Sequence, residues 1–191
     1  MILFFDLETT GLNKLTNEII NIAAAVYDEK LDKIIDTFDR YIKPENPIPY
    51  NICVLTGITN SMVKDCDGEN LVLQDFMNWL AKYNCTLLVG HNIKRFDVPF
   101  MEARCKKHSI LNGLPVSLED TLSMAQAAYK SGILSGYTYT TGRGNISFKQ
   151  EYLMKYWDLG QQTHTALSDV ENDIEIYKHL KSLENSIDYG F

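Results

Sequence analysis

One stretch near the amino terminus constrains this chain more than any other, Ile2-Leu3-Phe4-Phe5-Asp6-Leu7-Glu8-Thr9-Thr10-Gly11. Its large apolar residues favour a buried strand, and Gly11 suits the exit because glycine adopts tight-turn backbone angles. Side chains alternate between the faces of a strand, so Asp6 and Glu8 must project from the same face, close together. Two neighbouring carboxylates repel each other and are costly to bury, so a polyvalent cation is the expected partner. The alternative is a strand whose polar face is simply solvated.

Composition narrows the class of protein. The chain has 191 residues, 45% hydrophobic and 23% charged, which excludes disordered and fibrous classes and predicts a single domain spanning residues 1–191. The sequence predicts neither a signal peptide nor a membrane span, so we expect a cytoplasmic protein with no membrane partner. The four cysteines form no Cys-x-x-Cys pair, which argues against zinc. The net charge of −7 disfavours a broad basic surface for nucleic acid, but not a local site whose bound cations invert the charge.

Apolar periodicity predicts an α/β fold. A three-stranded antiparallel meander is expected over residues 1–42, and residues 50–65 are expected to be short helices or irregular. Further strands are predicted at 86–89 and 115–118, and helices at 70–82, 97–108, 121–130, 147–157 and 165–183. Ser147 and Gln150 have the spacing of a capping box for the fourth of these helices. Residues 131–146 show no period and predict an ordered loop or a mobile flap.

Polar residues in two later regions could join the carboxylates of the first strand. Asp97 follows a polar run after a buried strand, where open α/β sheets place functional groups. His164 and Asp169 lie at the predicted start of the last helix. Each has an ordinary alternative taken singly: Asp97 as a helix N-cap, His164 as a solvated side chain, and Asp169 as an acid that favours the helix dipole.

The combination is more specific than its parts. Phe5-Asp6-Leu7-Glu8-Thr9-Thr10-Gly11-Leu12, then Gly90-His91-Asn92 with Phe96-Asp97, then His164 five residues before Asp169, resembles the three motifs of the DnaQ-like exonucleases, DEDDh branch. The order and spacing hold along essentially the whole chain. Asp120-Thr121 and Leu55-Thr56-Gly57-Ile58 are weaker features of the same resemblance. It implies a ribonuclease H-like fold, with a mixed five-stranded sheet whose first three strands are antiparallel, flanked by helices.

The resemblance also implies a chemistry. Two divalent cations, Mg²⁺ or Mn²⁺, activate a water and stabilise charge on the attacking and leaving oxygens of a phosphodiester. Asp6, Glu8 and Asp169 would hold the ion that carries the water. Asp6 would bridge to the second ion, and Asp97 would complete the set, partly through waters. His164 would act as the general base, because the ordinary pKa of a histidine lies near neutrality.

The expected reaction is 3′→5′ removal of mononucleotides from single strands, with DNA preferred and RNA or short oligoribonucleotides as the runner-up. The resemblance places substrate contacts at Thr9, Thr10, Gly11, Leu12, His91, Asn92 and Phe96, of which His91 and Asn92 would brace the site. Leu12 and Phe96 have core packing as their alternative. Lys94, Arg95, Arg143 and Lys149 are candidate phosphate contacts. Two other functions stay open, a binding module that has lost catalysis and a proofreading subunit of a DNA polymerase. A homodimer is also compatible with the resemblance.

Overall fold

The computed structural model describes the backbone of residues 1–160 and 165–188, and the side chains of these residues up to 184. The strands are β1 (Ile2–Thr9), β2 (Ile19–Asp28), β3 (Lys33–Tyr41), β4 (Leu87–Gly90) and β5 (Ser117–Asp120). The helices of this part of the chain are α1 (Tyr50–Thr56), α2 (Asn60–Val63), α3 (Glu69–Leu80), α4 (Asp97–Lys107), α5 (Thr121–Lys130), α6 (Gln150–Tyr156) and α7 (Ala166–Asp188). No helix among the described residues is long and apolar enough to cross a membrane.

The five strands form one mixed sheet in the order β3-β2-β1-β4-β5. β1 pairs antiparallel with β2, and β2 pairs antiparallel with β3, whereas β4 joins β1 and β5 in parallel register. The predicted α/β fold, with three antiparallel strands first, is therefore confirmed. β1 lies at the centre of the sheet, so its apolar side chains are buried on both faces.

Alternation along β1 divides the interior into two cores. One face packs against α3 and α4, and its β1 members are Leu3, Phe5 and Leu7. The other face packs against α7, and its β1 members are Ile2 and Phe4. Asp6 and Glu8 continue the second series by the same alternation, which places both carboxylates on the face of the sheet that α7 covers.

Small residues on β2 let α7 lie close to this face. Ala23 and Ala25 are fully buried there, and Ala23 is the register partner of Asp6. The apolar stripe of α7 includes Val170 and Ile174, which are buried against the same core. The long closing helix predicted from residue 165 is therefore present, and its packing against β1 and β2 fixes where its first turn lies.

A buried ion pair ties two helices to the sheet on the opposite side. The carboxylate of Glu69, at the start of α3, accepts a hydrogen bond from the Ile19 backbone N–H at 3.0 Å. The Arg104 guanidinium of α4 donates to both oxygens of the same carboxylate, from Nε at 2.8 and 2.9 Å. Arg104 is only 2% exposed. Because both charges are buried, each depends on the other for compensation.

The predicted capping box at Ser147 and Gln150 is wrong. α6 begins at Gln150, its N-cap is Lys149, and no side chain caps it. Gln150 instead points away from its own helix and donates from Nε2 to the Asp169 carbonyl at 3.0 Å. A tertiary hydrogen bond has displaced the local one.

Candidate active site

Three carboxylates from the two ends of the chain meet at the carboxyl end of β1. Oxygen atoms of Asp6, Glu8 and Asp169 all lie within 4.8 Å of one another. Asp6 and Glu8 share the sheet face that α7 covers, and Asp169 lies in the first turn of α7. The resemblance assigns these same three residues to the ion that carries the attacking water.

The electrostatics of this group favour a bound cation. Burial, together with the charge of Asp169, raises the pKa of Asp6 to about 7. Burial, together with the charges of Asp6 and Asp169, raises the pKa of Glu8 to about 8. Among the described residues, no lysine or arginine forms an ion pair with Asp6 or Glu8. A hard divalent ion takes oxygen ligands at roughly 2.0–2.6 Å, so oxygens up to about twice that far apart can share one ion. The residues present fit such an ion.

Asp97 lies beside this group but is not part of it. It is the first residue of α4, is only 3% exposed, and accepts a hydrogen bond at Oδ1 from the Leu7 backbone N–H at 3.2 Å. Burial and the charge of Asp6 raise its pKa well above the usual value, although the Leu7 bond acts in the opposite direction. The N-cap of α4 is Phe96, so the helix-cap alternative for Asp97 is wrong. Asp97 fastens α4 to β1 between the two carboxylates of that strand.

His164 lies outside the described residues, so its assignment as the general base stays a prediction. Asp169, five residues later, donates from its backbone N–H to the Thr165 carbonyl at 3.0 Å and accepts from the Gln150 side chain at its own carbonyl. The first bond belongs to the opening turn of α7, and the second joins that turn to α6.

A further buried carboxylate, Asp173, escaped the sequence reasoning. It lies one helical turn beyond Asp169 and is 1% exposed. Its Oδ1 accepts from the Thr121 hydroxyl at 3.2 Å, and the Gln150 side chain is also within hydrogen-bonding reach. Burial is the main reason that its pKa is raised to about 8, and the charge of Asp6 adds to this. A signal was available, because a residue four positions after a ligand on a helix faces the same side.

His91 and Asn92, which follow β4, contact Thr121 and Asp120 at the junction of β5 and α5. The Nδ1 atom of His91 lies 2.9 Å from Thr121 Oγ1, and burial lowers the pKa of His91 to about 4, so the imidazole is neutral. The Asn92 backbone N–H donates to Asp120 Oδ1 at 3.3 Å, and that of Lys94 donates to the other oxygen at 3.2 Å. Asp120 therefore holds the turn that leads into α4.

The turn after β1 is held by its own side chains. Thr9 Oγ1 donates to the Gly11 carbonyl at 2.8 Å, and Thr10 Oγ1 accepts from the Glu18 backbone N–H at 3.0 Å. Both threonines are buried. Leu12 is 85% exposed, so the core-packing alternative for this residue is wrong. The turn presents a leucine to solvent four residues after Glu8.

For Phe96, the core-packing alternative is correct. It is half-buried and packs against the main core, and its ring centre lies 5.6 Å from that of Phe100.

On the face of the sheet opposite to Phe96, a cleft of about 170 Å³ is lined by Glu8, Met62 and Thr165, among others. Residues 56–58 also line it, so the Leu55-Thr56-Gly57-Ile58 segment lies beside the acidic group.

Comparison with known proteins gives consistent matches. The RNase_T family model, described as exonuclease, matches residues 3–177. PolC-type DNA polymerase III of Caldanaerobacter subterraneus subsp. tengcongensis is 35% identical over 97% of this chain and 12% of its own length. That of Streptococcus mutans is 35% identical over 80% of this chain and 10% of its own length. The chain thus spans about a tenth of these relatives.

Solved structures give the same fold. A product-bound exonuclease I superposes with a TM-score of 0.83 at 21% identity, covering 97% of this chain and 44% of that one. Escherichia coli exonuclease I in complex with a dT13 oligonucleotide gives 0.83 at 22% identity, with 97% and 42% coverage. The ribonuclease H-like architecture expected from the sequence is thereby confirmed.

Proposed function

The chain belongs to the exonuclease family, in its DnaQ-like DEDDh branch of divalent-metal-dependent 3′→5′ exonucleases, and from that membership we propose that it removes nucleoside monophosphates from the 3′ ends of single-stranded DNA. The observation that carries the proposal is the convergence of Asp6, Glu8 and Asp169 oxygens within 4.8 Å. In this proposal residues 1–191 act as one exonuclease domain.

Each acidic residue has a defined part in the proposed reaction. Asp6, Glu8 and Asp169 would hold one divalent ion, and Asp6 with Asp97 would hold a second. When bound, such a pair lowers the pKa of a water and stabilises charge on the phosphoryl oxygens. We assign proton removal from that water to His164, on its spacing five residues before Asp169.

The other motif residues would position the substrate and the ligands. The exposed Leu12 would contact the terminal base, while Thr9, Thr10 and Gly11 give the turn its shape. His91 and Asn92 would act on the substrate only through the scaffold that they brace. Phe96 would support the proposed site through its packing against the core.

The proposed ions are Mg²⁺ or Mn²⁺. The donor set consists of carboxylate oxygens, which these hard cations prefer. A solved exonuclease I complex with single-stranded DNA contains zinc, so zinc should be tested beside Mg²⁺ and Mn²⁺. We expect activity with Mg²⁺ and Mn²⁺ and weaker activity with zinc.

The test uses 5′-labelled DNA and RNA strands with each metal. We expect a ladder of shortened products and release of mononucleotides, faster from DNA. Asp6→Asn and Asp169→Asn should each lose more than roughly 100-fold in rate, since even residues that only support a metal ligand contribute about 10- to 100-fold. Asp65→Asn makes the same chemical change at a side chain that is 86% exposed and should cleave normally. Full activity of Asp6→Asn would refute the proposed site, and faster cleavage of RNA would redirect the substrate assignment.

A second candidate is proofreading within a DNA polymerase. It is favoured by the 35% identity to PolC-type polymerase over 97% of this chain. A proofreading role predicts faster removal of a mismatched primer terminus than of a paired one. Equal rates on the two termini, with faster cleavage of free single strands, would favour the first candidate.

The homodimer stays a prediction. Light scattering on the purified protein measures the mass in solution and distinguishes one copy of 21.8 kDa from two.

A further inference from the structure

Residues 129–160 build a small aromatic unit outside the sheet. Within it, Tyr139 to Ser147 form a short hairpin, which we call the aromatic hairpin. The Ser147 N–H donates to the Tyr139 carbonyl at 2.9 Å, and the Thr141 N–H donates to the Asn145 carbonyl at 2.8 Å. The unit has its own core between α5, α6 and α7. The hairpin is therefore an ordered element, because hydrogen bonds fix its ends and packing fixes its base.

The aromatic hairpin is rooted at the active site. Directly after it, the Phe148 backbone lies close enough to the His91 side chain to raise the pKa of the imidazole, against the larger effect of burial. Two residues later, the Gln150 side chain donates to the carbonyl of Asp169 at 3.0 Å. The Tyr137 hydroxyl donates to the Ser147 carbonyl at 2.6 Å, which braces the hairpin base. A nucleic-acid strand whose 3′ end occupied the acidic site would extend away from that site past the aromatic hairpin.

The surface of this unit carries aromatic rings and positive charge together. The Tyr139 and Tyr152 rings stack with centres 5.2 Å apart and an interplanar angle of 11°, and both side chains are partly buried against the core of the unit. Lys155 Nζ lies 5.8 Å from the Tyr152 ring centre, and Arg143 is exposed at the hairpin tip. Neither cation is paired with an acidic side chain in the part of the chain that the structure describes.

The charge of this segment is opposite to that of the whole protein. Residues 129–160 contain four basic residues and two acidic residues, while the chain carries a net charge of −7. The basic residues are Lys130, Arg143, Lys149 and Lys155, and the acidic ones are Glu151 and Asp158. A partly exposed aromatic stack flanked by unpaired cations is the combination that binds single strands without sequence preference.

We propose that the aromatic hairpin and the adjoining face of α6 bind the substrate strand on the 5′ side of the nucleotide being removed. A base would stack on the Tyr139 and Tyr152 pair, and phosphates would contact Arg143 and Lys155. The proposal rests on the proposed function for the position of the 3′ end. It adds a second contact region, which would hold long strands more tightly than short ones.

The first test removes the cations. Arg143→Ala with Lys155→Ala is compared with a charge-matched control, Lys30→Ala with Lys33→Ala, at the β2–β3 turn, the opposite end of the sheet from Glu8. Binding of a fluorescent oligothymidylate is measured by anisotropy in Ca²⁺ as a function of salt. The test variant should bind more weakly and lose about 1.4 from the log–log salt slope, since each phosphate contact in a single strand contributes roughly 0.7. Equal slopes for the test variant and the wild type would overturn the proposal.

The second test addresses stacking. Tyr152→Leu keeps an apolar side chain but removes the ring, whereas Tyr152→Phe keeps the ring. We expect Tyr152→Leu to weaken oligothymidylate binding about fivefold or more and Tyr152→Phe to bind like the wild type. A stacking role would be refuted if both variants bound like the wild type. It would also be refuted if both lost affinity to the same extent.

Kinetics separate this proposal from the proposed function. The cation variant should raise KM for the oligothymidylate with little change in kcat, and should hydrolyse the p-nitrophenyl ester of thymidine 5′-monophosphate at the wild-type rate. If the cation variant lost as much activity on that mononucleotide ester as on the oligothymidylate, the proposal of a second contact region would be overturned. If the wild type cleaves neither substrate, the proposed function fails, while the anisotropy comparison still decides whether this surface binds the strand.

Discussion

Replacing Asp6 by asparagine should stabilise the metal-free protein and abolish its response to divalent ions. The carboxylates of Asp6, Glu8 and Asp169 lie within 4.8 Å, so in the absence of a cation they repel one another. Asparagine has nearly the same shape and carries no charge. The substitution thus relieves a repulsion that the fold tolerates for the sake of the bound metal.

The magnitude follows from the pKa of Asp6, which burial and the charge of Asp169 raise from 3.8 to about 7. A carboxyl whose pKa is raised by folding contributes stability that is fully present below 3.8 and is lost as the pH rises through 7. At 1.36 kcal/mol for each pH unit, the ionised group is disfavoured by up to about 4 kcal/mol, of which solvent screening leaves about 2 kcal/mol. In a chain of this size that corresponds to roughly 4–8 °C in Tm.

Thermal unfolding in EDTA tests this at two values of pH. At about pH 8.5, Asp6→Asn should melt roughly 4–8 °C above the wild type. At about pH 5.5 the difference should be roughly half as large, because the carboxyl is then protonated in the folded protein but still ionised in the unfolded chain, and it should vanish below 3.8, where both are protonated. Added Mn²⁺ should raise the Tm of the wild type and leave that of the variant unchanged. The Asp65→Asn control should follow the wild type throughout. A variant less stable than the wild type at about pH 8.5 would refute the reasoning.

Three other predictions concern the scaffold. Arg104→Met should destabilise the protein by about 3–5 kcal/mol in urea unfolding, because it removes the guanidinium from the buried Glu69 carboxylate and leaves His108 as the one side chain beside it among the described residues. Asp36→Asn should lower Tm at neutral pH, and the loss should shrink as the pH falls below 3.8, since hydrogen bonds from Tyr83 and Trp79 lower the pKa of Asp36 and the resulting stability is lost as the pH falls through that value. Gly90→Ala should lower the free energy of unfolding by about 1–3 kcal/mol, because its Cβ would lie 2.3 Å from Ile93 Cγ2 and 2.9 Å from the Phe5 carbonyl oxygen. A Gly90→Ala protein as stable as the wild type would contradict this crowding.

Much of the fold and part of the site could be predicted because they depend on local patterns. Alternation along β1 was enough to place Asp6 and Glu8 on one face, and the spacing of apolar residues predicted α7 and the three-stranded meander. The motif resemblance then indicated which distant residues converge. Of these, Asp169 lies with the β1 carboxylates, and Asp97 lies beside them through its bond to Leu7.

The missed features depend on tertiary contacts. Asp173 reads as a surface acid, yet it lies on the buried stripe of α7 between Val170 and Ile174, where Thr121 reaches it. Gln150 has the spacing of a capping residue, but its side chain reaches α7 instead. Local propensity favours the cap by about 1 kcal/mol, which a buried hydrogen bond to another element can offset.

Packing, more than any bond to the carboxylates, determines the geometry of this site. α7 reaches β1 only because Ala23, the register partner of Asp6, leaves room on the sheet face. A larger residue there would move the first turn of α7 outward and carry the Asp169 carboxylate away from Asp6. The same close approach raises the pKa of Asp6, so the feature that gathers the ligands also destabilises the metal-free protein. Metal affinity and folding stability are therefore coupled in this fold, and ions that bind the native state should stabilise it most where the carboxylates are ionised.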